Sequence, residues 1–262
     1  MRVLAGIALL VSMVPAMAGA SVLFTQDFSS SSTVADYTNN ATPVTNRFNT
    51  ISAAAPDAFS ITGGALTLTK GGVAKTSTIG RATPLAAAPL TLLSLQCDIG
   101  FAFTGQTAGT SLGFFELGKG DGTLSWGTSG FQVDSTGSNN VWRITGGGGG
   151  FTGVKTVKLF ANDTGSNAWY IAPDGSKRTI TNTYVDVWVG TTLAKSSIAS
   201  GINTANDING FRYVSPAVSA INSGTLTFDK FIVEQIPEPA TIGLISFATA
   251  GLLLFRRFSL RK

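Results

Sequence analysis

Residues 21–235 show the two-residue hydrophobic alternation of β-strands and contain no stretch with the period of a helix. Leu alternates with Thr in ALTLT, and YVDVWVG places Val185, Val187 and Val189 on one face of a strand. Clusters of Gly, Asn, Asp and Ser return about every 8–12 residues, a spacing typical of antiparallel sandwiches and barrels. The sequence therefore predicts an all-β domain over residues 21–235.

Six segments are apolar or alternating enough to be predicted as strands. They are residues 65–69, 90–103, 154–161, 168–173, 184–190 and 225–235. The segment 90–103 is long and apolar enough to cross the centre of a sheet, and residues 173–175, Pro-Asp-Gly, predict a type I or II turn. Cys97 lies in the long segment, so we expect a buried thiol, with an intermolecular disulfide as the alternative.

Three phrases of this region resemble the concanavalin A-like lectin/glucanase family: LFTQDFSSSS near its start, ITGGALTLTKGG after it and GTLTFDKFIVE at its end. The resemblance implies an antiparallel jelly-roll sandwich of two large sheets whose first and last strands pair side by side. It also implies glycan binding on the concave face. A solenoid is the alternative architecture, although the sequence has no fixed repeat of about 20–50 residues.

The N-terminal residues have the pattern of a secretory signal peptide. Arg2 precedes an apolar run over residues 3–14, and the small residues Ala16 and Ala18 follow. A basic residue, about a dozen apolar ones and a small-x-small site predict a signal peptide, residues 1–18, that signal peptidase removes. Cleavage two residues later and an uncleaved anchor are the alternatives.

The C-terminal residues have the pattern of a membrane segment. Residues 240–255 are sixteen consecutive uncharged residues, and a helix of this length spans about 24 Å, against about 30 Å for the hydrocarbon core. Four basic residues follow: Arg256, Arg257, Arg261 and Lys262. Because basic flanks stay in the cytoplasm, the sequence predicts a transmembrane helix with the preceding domain outside. A buried core helix is the alternative.

The arrangement of Pro237-Glu238-Pro239, the apolar segment and the terminal Arg256 and Arg257 resembles a PEP-CTERM sorting signal covering residues 237–262. Such signals occur in Gram-negative bacteria that make exopolysaccharide. The resemblance implies that an exosortase, a membrane protease-transpeptidase, removes the tail near the Pro-Glu-Pro. The protein would then be exported across the inner membrane, anchored by its C-terminal helix until processed, and afterwards surface-bound or extracellular.

The two prolines of the tripeptide also restrict its backbone conformation. Each proline fixes its own φ and keeps the residue before it out of the helical region, so residues 236–239 are expected to stay extended. A protease active site can bind such an extended segment, and Glu238 is then the charged side chain available for recognition. A generic linker would explain the prolines but not the order of tripeptide, helix and basic end.

The charge distribution argues against a nucleic-acid partner. The formal charge is +4 and the pI about 9.3, but five of the 18 basic residues are Arg2 and the four at the C terminus. The rest of the chain has 13 basic and 14 acidic residues, a formal charge of about −1, and no basic cluster for phosphate contacts. We expect no nucleic acid to bind.

The absence of histidine excludes Ser-His-Asp and Cys-His nucleophile pairs and any His-ligated metal. Glucanases of the resembled family carry a Glu-x-Asp-x-x-Glu pattern that supplies two carboxylates. Here Glu116 is followed at two and four positions by Gly118 and Gly120, and Asp121 is five positions away. The second carboxylate is missing, so we expect no enzyme, and a glycoside hydrolase is the less favoured alternative.

A non-catalytic, glycan-associated domain of a surface or matrix protein is therefore the predicted function, and exopolysaccharide is its candidate ligand. Trp126 lies in a Gly/Ser-rich segment where burial is not assured, whereas the other tryptophans, Trp142, Trp169 and Trp188, lie in strand-like runs and are expected in the core. The candidate glycan contacts are Trp126, Asp121, Asn139 and Asn140. A structural envelope or biofilm-matrix protein without a small ligand is the alternative.

Calcium is the one cofactor with a candidate site. The oxygen-rich segments NDTGSN and GKGDGT could hold Ca²⁺ through Asp163, Asn167 or Asp121. Turn formation explains the same residues equally well, because Asn, Asp and Gly favour turn conformations.

Overall fold

Two antiparallel sheets contain most of the residues that the computed structural model describes. The described residues are 20–38, 46–71, 75–87, 90–118, 126–199, 208–216 and 224–237. At residues 126–129 only the backbone is described. The strands in chain order are β1 (Ser21–Gln26), β2 (Thr50–Ala53), β3 (Ala58–Thr62), β4 (Ala65–Lys70), β5 (Ser77–Arg81), β6 (Leu92–Phe103), β7 (Ser111–Gly118), β8 (Trp126–Ser135), β9 (Val141–Ile144), β10 (Phe151–Thr152), β11 (Lys155–Asn162), β12 (Ala168–Ile171), β13 (Lys177–Ile180), β14 (Tyr184–Val189), β15 (Thr192–Ala199), β16 (Gly210–Ser215) and β17 (Gly224–Gln235). A short 3₁₀ helix covers Val34–Tyr37. The six predicted strands are confirmed as β4, β6, β11, β12, β14 and β17.

The strands divide into two large sheets and one hairpin. The eight-stranded sheet has the order β15-β14-β11-β6-β17-β4-β3, with β1 also paired to β17. The seven-stranded sheet has the order β10-β9-β8-β7-β16-β5-β2, and β12 pairs with β13 alone. The two sheets pack face to face, as in the ring contacts of Tyr213 with Phe228 at 4.7 Å and Phe211 with Phe231 at 6.0 Å. The fold is an all-β antiparallel sandwich, as predicted.

The longest strands lie at the middle of the eight-stranded sheet. Leu93, Leu95, Cys97, Ile99 and Phe101 of β6 alternate into the core, whereas the intervening positions face the other side. This confirms that residues 90–103 cross a sheet centre. Strand β17 lies beside β6, pairing through its other edge with β4 near its start and with β1 near its end, so the first and last strands lie side by side as the family resemblance implied.

Cys97 is buried at the centre of this sheet, as predicted. Its Sγ lies 3.4 Å from the carbonyl oxygen of Asp98 and 3.5 Å from that of Asp229. Burial raises the pKa of the Cys97 thiol well above its ordinary value, because the thiolate would lose its hydration. The thiol is therefore protonated and inert in the folded protein.

The hairpin β12–β13 explains why β14 is buried on both faces. Val185, Val187 and Val189 face the main core, as the alternation predicted. Trp188 faces the opposite way and is also buried, because the hairpin covers it. The hairpin contributes Tyr170, whose hydroxyl accepts a hydrogen bond from the Trp188 indole N–H at 3.0 Å. Its turn also forms where predicted, since the Gly175 N–H donates to the carbonyl oxygen of Ala172 at 2.9 Å.

The prediction that all three strand tryptophans lie in the core is wrong for Trp169. Trp142 and Trp188 are buried, but Trp169 lies half-buried on the hairpin, with the Lys177 ammonium 4.2 Å from its ring centroid. Neighbouring side chains of a strand face opposite sides, and the hairpin has one covered face. Because Tyr170 takes the covered side, Trp169 must take the other.

Apart from Pro237, both predicted processing segments lie outside the residues that the structure describes. Residues 20–236 form one compact unit, and at its end the Ile236 N–H donates to the Leu92 carbonyl oxygen at 2.9 Å. Pro237 is the last described residue. The signal peptide with Ala16 and Ala18, the helix 240–255, and Glu238, Pro239, Arg256 and Arg257 stay predictions. In the part of the chain described, no helix is long and apolar enough to cross a membrane.

Candidate functional site

A cleft of about 410 Å³ lies between strand β8 of the seven-stranded sheet and strand β15 of the eight-stranded sheet. Its described lining residues come from β7, β8, β15 and the turn after β9. They are Phe114, Phe115, Glu116, Gly130, Phe131, Gln132, Thr145, Lys195 and Ile198. Proteins hold small ligands in concave sites of this size, about 300–1,000 Å³.

The cleft exists because β9 leaves β8 half-way along its length. Strand β9 pairs with β8 over Val133–Ser135, and the last contact is the Thr145 N–H to the Gln132 carbonyl oxygen at 2.9 Å. On its other side β8 stays paired with β7 from Ser129 to Asp134. Among the described strands none pairs with the freed edge of β8 before Gln132, and β15 faces it across the cleft.

The apolar lining combines core and surface aromatic rings. Phe115 and Phe131 are opposite each other on β7 and β8, and their buried rings stack at 4.8 Å. Phe114 is half-buried, and since Phe115 points into the core, Phe114 points to the opposite face of the sheet. Ile198 lines the other wall and packs against the core. Phe114 is thus the partly exposed aromatic residue among the described lining residues.

The polar lining includes one ion pair, one amide and one ammonium, together with the Thr145 hydroxyl. Glu116 lies opposite Arg212 of β16, and the Arg212 Nε–H donates to Glu116 Oε2. Gln132 donates from Nε2 to Asp134 Oδ1 at 2.6 Å. Lys195 donates from Nζ to the Thr145 carbonyl oxygen at 2.8 Å. These groups supply both donors and acceptors to the described lining of the cleft.

Two atoms near β9 are buried without a hydrogen-bond partner among the described residues: Thr145 Oγ1 and Arg143 Nε. Thr145 lines the cleft, and Arg143 lies two residues before it, opposite Asp134. An unpaired buried donor costs about 1–3 kcal/mol, so such atoms are rare unless water or a ligand meets them.

Asn139 and Asn140 lie in the turn before β9, away from the cleft lining. The Asn140 Oδ1 accepts from the Phe103 N–H at 2.7 Å, and the Asn139 Oδ1 accepts from the Gly105 N–H at 3.1 Å. Both amide oxygens thus fasten the turn to the end of β6. Trp126 begins β8, but its side chain lies outside the described residues, as does all of Asp121. The predicted grouping of these four residues stays a prediction.

The loop with the calcium candidates Asp163 and Asn167 is held by Asn162. The Asn162 amide donates to the carbonyl oxygens of Ser166 at 2.8 Å and Ile180 at 2.9 Å. Within the described residues no three His, Cys, Asp or Glu side chains come together as a metal site. The calcium sites stay predictions, and the one through Asp121 lies outside the described residues.

No family model matches the chain, and no curated protein matches it. Several solved structures are similar to the chain at low identity and with TM-scores below 0.5. A carbohydrate esterase of the Shiga toxin-encoding bacteriophage phi24B is 13% identical with a TM-score of 0.48, covering 84% of this chain and 100% of its own. The Emp47p carbohydrate recognition domain is 10% identical at 0.46, covering 82% and 96%. Cellulose-induced protein Cip1 is 9% identical at 0.44, covering 80% and 95%. A sialidase is matched over 16% of its own length.

Proposed function

We propose that residues 21–235 form a non-catalytic, concanavalin A-like polysaccharide-binding domain and that the cleft beside β8 holds the sugar. The observation that carries the proposal is the combination, in one cleft, of the half-buried Phe114 ring with the polar groups of Gln132, Thr145 and Lys195. A pyranose presents apolar C–H groups on its faces and hydroxyl groups at its edges. An aromatic ring beside fixed donors and acceptors matches both parts of that surface.

The carboxylates of the cleft support binding without hydrolysis. Glycoside hydrolysis of the usual kind needs an acid and a second carboxylate about 5–9.5 Å apart. Glu116 is the one carboxylate among the described lining residues, and Arg212 pairs with it. The described lining therefore lacks the second carboxylate that hydrolysis of this kind needs.

The test is titration of the full-length protein, purified in nonionic detergent, with a panel of soluble polysaccharides. We expect dissociation constants in the millimolar to micromolar range, about −4 to −8 kcal/mol. Phe114→Ala should weaken binding about two- to thirteenfold, since ring contacts contribute about 0.5–1.5 kcal/mol. Trp169→Ala is the matched control, because this half-buried ring lies on the hairpin and is expected to leave binding unchanged.

Three outcomes would count against the proposal. Loss of binding in Trp169→Ala but not in Phe114→Ala would move the sugar to the hairpin. Release of reducing sugar would contradict the non-catalytic assignment. Absence of binding across chemically diverse polymers would favour a structural envelope or matrix protein without a ligand.

We also propose that the chain is exported and sorted through its C-terminal signal. The sequence order of Pro-Glu-Pro, apolar segment and basic end supports this. The Ile236 N–H, directly before the tripeptide, still donates to the Leu92 carbonyl oxygen of the folded domain at 2.9 Å. Replacing Pro237 and Pro239 by Ala should leave export intact but retain the tail, since the segment could then become helical. Intact-mass analysis shows whether the tail is retained. Equal loss of the tail in the wild-type protein and in the double variant would contradict the proposal.

A further inference from the structure

We infer that the cleft selects sugars that carry a carboxylate, as uronates do, and that the Lys195 ammonium is the group that pairs with it. This inference rests on the proposed polysaccharide binding and specifies its ligand class. It follows from the charges that line the cleft, from the position of the ammonium and from the unpartnered hydroxyl beside it.

The first argument is charge balance. Among the described lining residues the charged ones are Glu116 and Lys195. Glu116 is paired with Arg212, so its negative charge is already compensated. No carboxylate oxygen of the described residues lies within 4.0 Å of Lys195 Nζ. The cleft therefore keeps one uncompensated positive charge, and an anionic ligand would meet it.

The second argument is the position of the ammonium. Lys195 is half-buried, and its Nζ uses one of three donors on the Thr145 carbonyl oxygen. The side chain lies against the turn after β9 so closely that a Cβ on Gly146 would be 2.8 Å from Nζ, and Gly146 has a φ of +70°. Gly146 thus lies directly beside the ammonium, and two of the three Nζ donors have no partner among the described residues.

The third argument is the Thr145 hydroxyl, whose oxygen is buried without a partner. It lies on the residue whose carbonyl holds the ammonium. A hydroxyl can donate to one oxygen of a carboxylate while an ammonium donates to the other, and such charge-assisted bonds are the strong ones. A neutral sugar hydroxyl would meet the same groups without the ionic contribution.

The experiment compares three uronate polymers, alginate, polygalacturonate and hyaluronate, each with its carboxyl-reduced form, on the full-length protein. Reduction removes the charge and keeps the chain. At least one polymer should bind about tenfold more tightly in its carboxylate form, the effect of one charged hydrogen bond. Added salt should reduce the difference in affinity between the carboxylate and the carboxyl-reduced polymer. Lys195→Met should abolish the preference, whereas Lys195→Arg should keep most of it.

Two further variants separate recognition from folding. Thr145→Val should weaken uronate binding without lowering the thermal midpoint, because it removes a hydroxyl that no described group meets. Lys155→Met removes an exposed charge of β11 that does not line the cleft. It should leave the binding of both the carboxylate and the carboxyl-reduced polymers unchanged.

The outcomes separate the two claims. Equal binding of both polymer forms, preference for the reduced forms, or a preference that survives Lys195→Met would overturn this inference. Binding that is still sensitive to Phe114→Ala would then leave the polysaccharide proposal standing. Absence of binding to every polymer in both forms would overturn both.

Discussion

Replacing Asp57 by Ala is expected to lower the free energy of unfolding by about 3–5 kcal/mol, the cost of breaking a buried ion pair from one side. The side chains of Asp57 and Lys70 are 0% and 1% exposed and form an ion pair. Asp57 also accepts from the Gly71 N–H at 3.0 Å and from the Ser77 hydroxyl at 3.1 Å. Without the carboxylate, the Lys70 ammonium would be buried with the Lys75 carbonyl oxygen, at 2.8 Å, as its remaining partner among the described residues.

The position of this ion pair explains its importance. Asp57 lies between β2 and β3, Lys70 ends β4 and Ser77 begins β5. Strands β3 and β4 belong to the eight-stranded sheet and β2 and β5 to the seven-stranded sheet. The carboxylate thus joins one edge of each sheet to the other, and its loss should open the sandwich there.

Urea denaturation followed by tryptophan fluorescence measures the Asp57→Ala effect. The double variant Asp57→Asn with Lys70→Met is the control, because it removes both charges and should cost less than Asp57→Ala alone. A loss below about 1 kcal/mol in Asp57→Ala would mean that the pair is solvated and that this edge is not closed.

Trp142→Ala is expected to cost a similar amount, about 3–5 kcal/mol, the range for truncating a large buried aromatic side chain. Trp142 is 0% exposed, and its ring packs on Phe101 at 5.4 Å and Phe151 at 5.1 Å. Phe101 belongs to the opposite sheet, so the indole fills space between the sheets. Its N–H donates to the Gly153 carbonyl oxygen at 3.4 Å.

The matched control is Trp169→Ala, the same change on a half-buried ring of the hairpin. It should cost less than about 1 kcal/mol, since it forfeits a surface contact with Lys177 and leaves no cavity. Thermal and urea denaturation of both variants give the comparison. Equal decreases in the free energy of unfolding for Trp142→Ala and Trp169→Ala would contradict the assignment of Trp142 to the core and of Trp169 to the surface of the hairpin.

The strands could be predicted because their information is local. Alternation in ALTLT and the apolar length of residues 90–103 identify β4 and β6 without knowledge of the partners. The side taken by Trp169 could not be predicted in this way. It depends on the hairpin covering β14, which is a contact between segments distant in sequence.

The cleft could not be predicted for the same reason. Phe114 and Phe115 are adjacent in FFE, and which of them faces the core depends on the register of β7 with its neighbours. Lys195 reaches Thr145 across fifty residues of sequence. The freed edge of β8 results from β9 turning away after Ile144. The sequence identifies Glu116 as a candidate carboxylate, but its partner Arg212 follows only from the pairing of β7 with β16.

Amide hydrogen exchange tests the central claim, that a polysaccharide binds in the cleft beside β8. The full-length protein is compared with and without saturating concentrations of the polymer that it binds most tightly. Protection should concentrate in peptides covering residues 112–118, 130–134, 143–147 and 193–199, which contain the lining residues. The account would be contradicted by protection confined to the hairpin 168–180, or to the residues of β6 and β17 whose side chains face away from the core. It would also be contradicted by the absence of protection with any polymer.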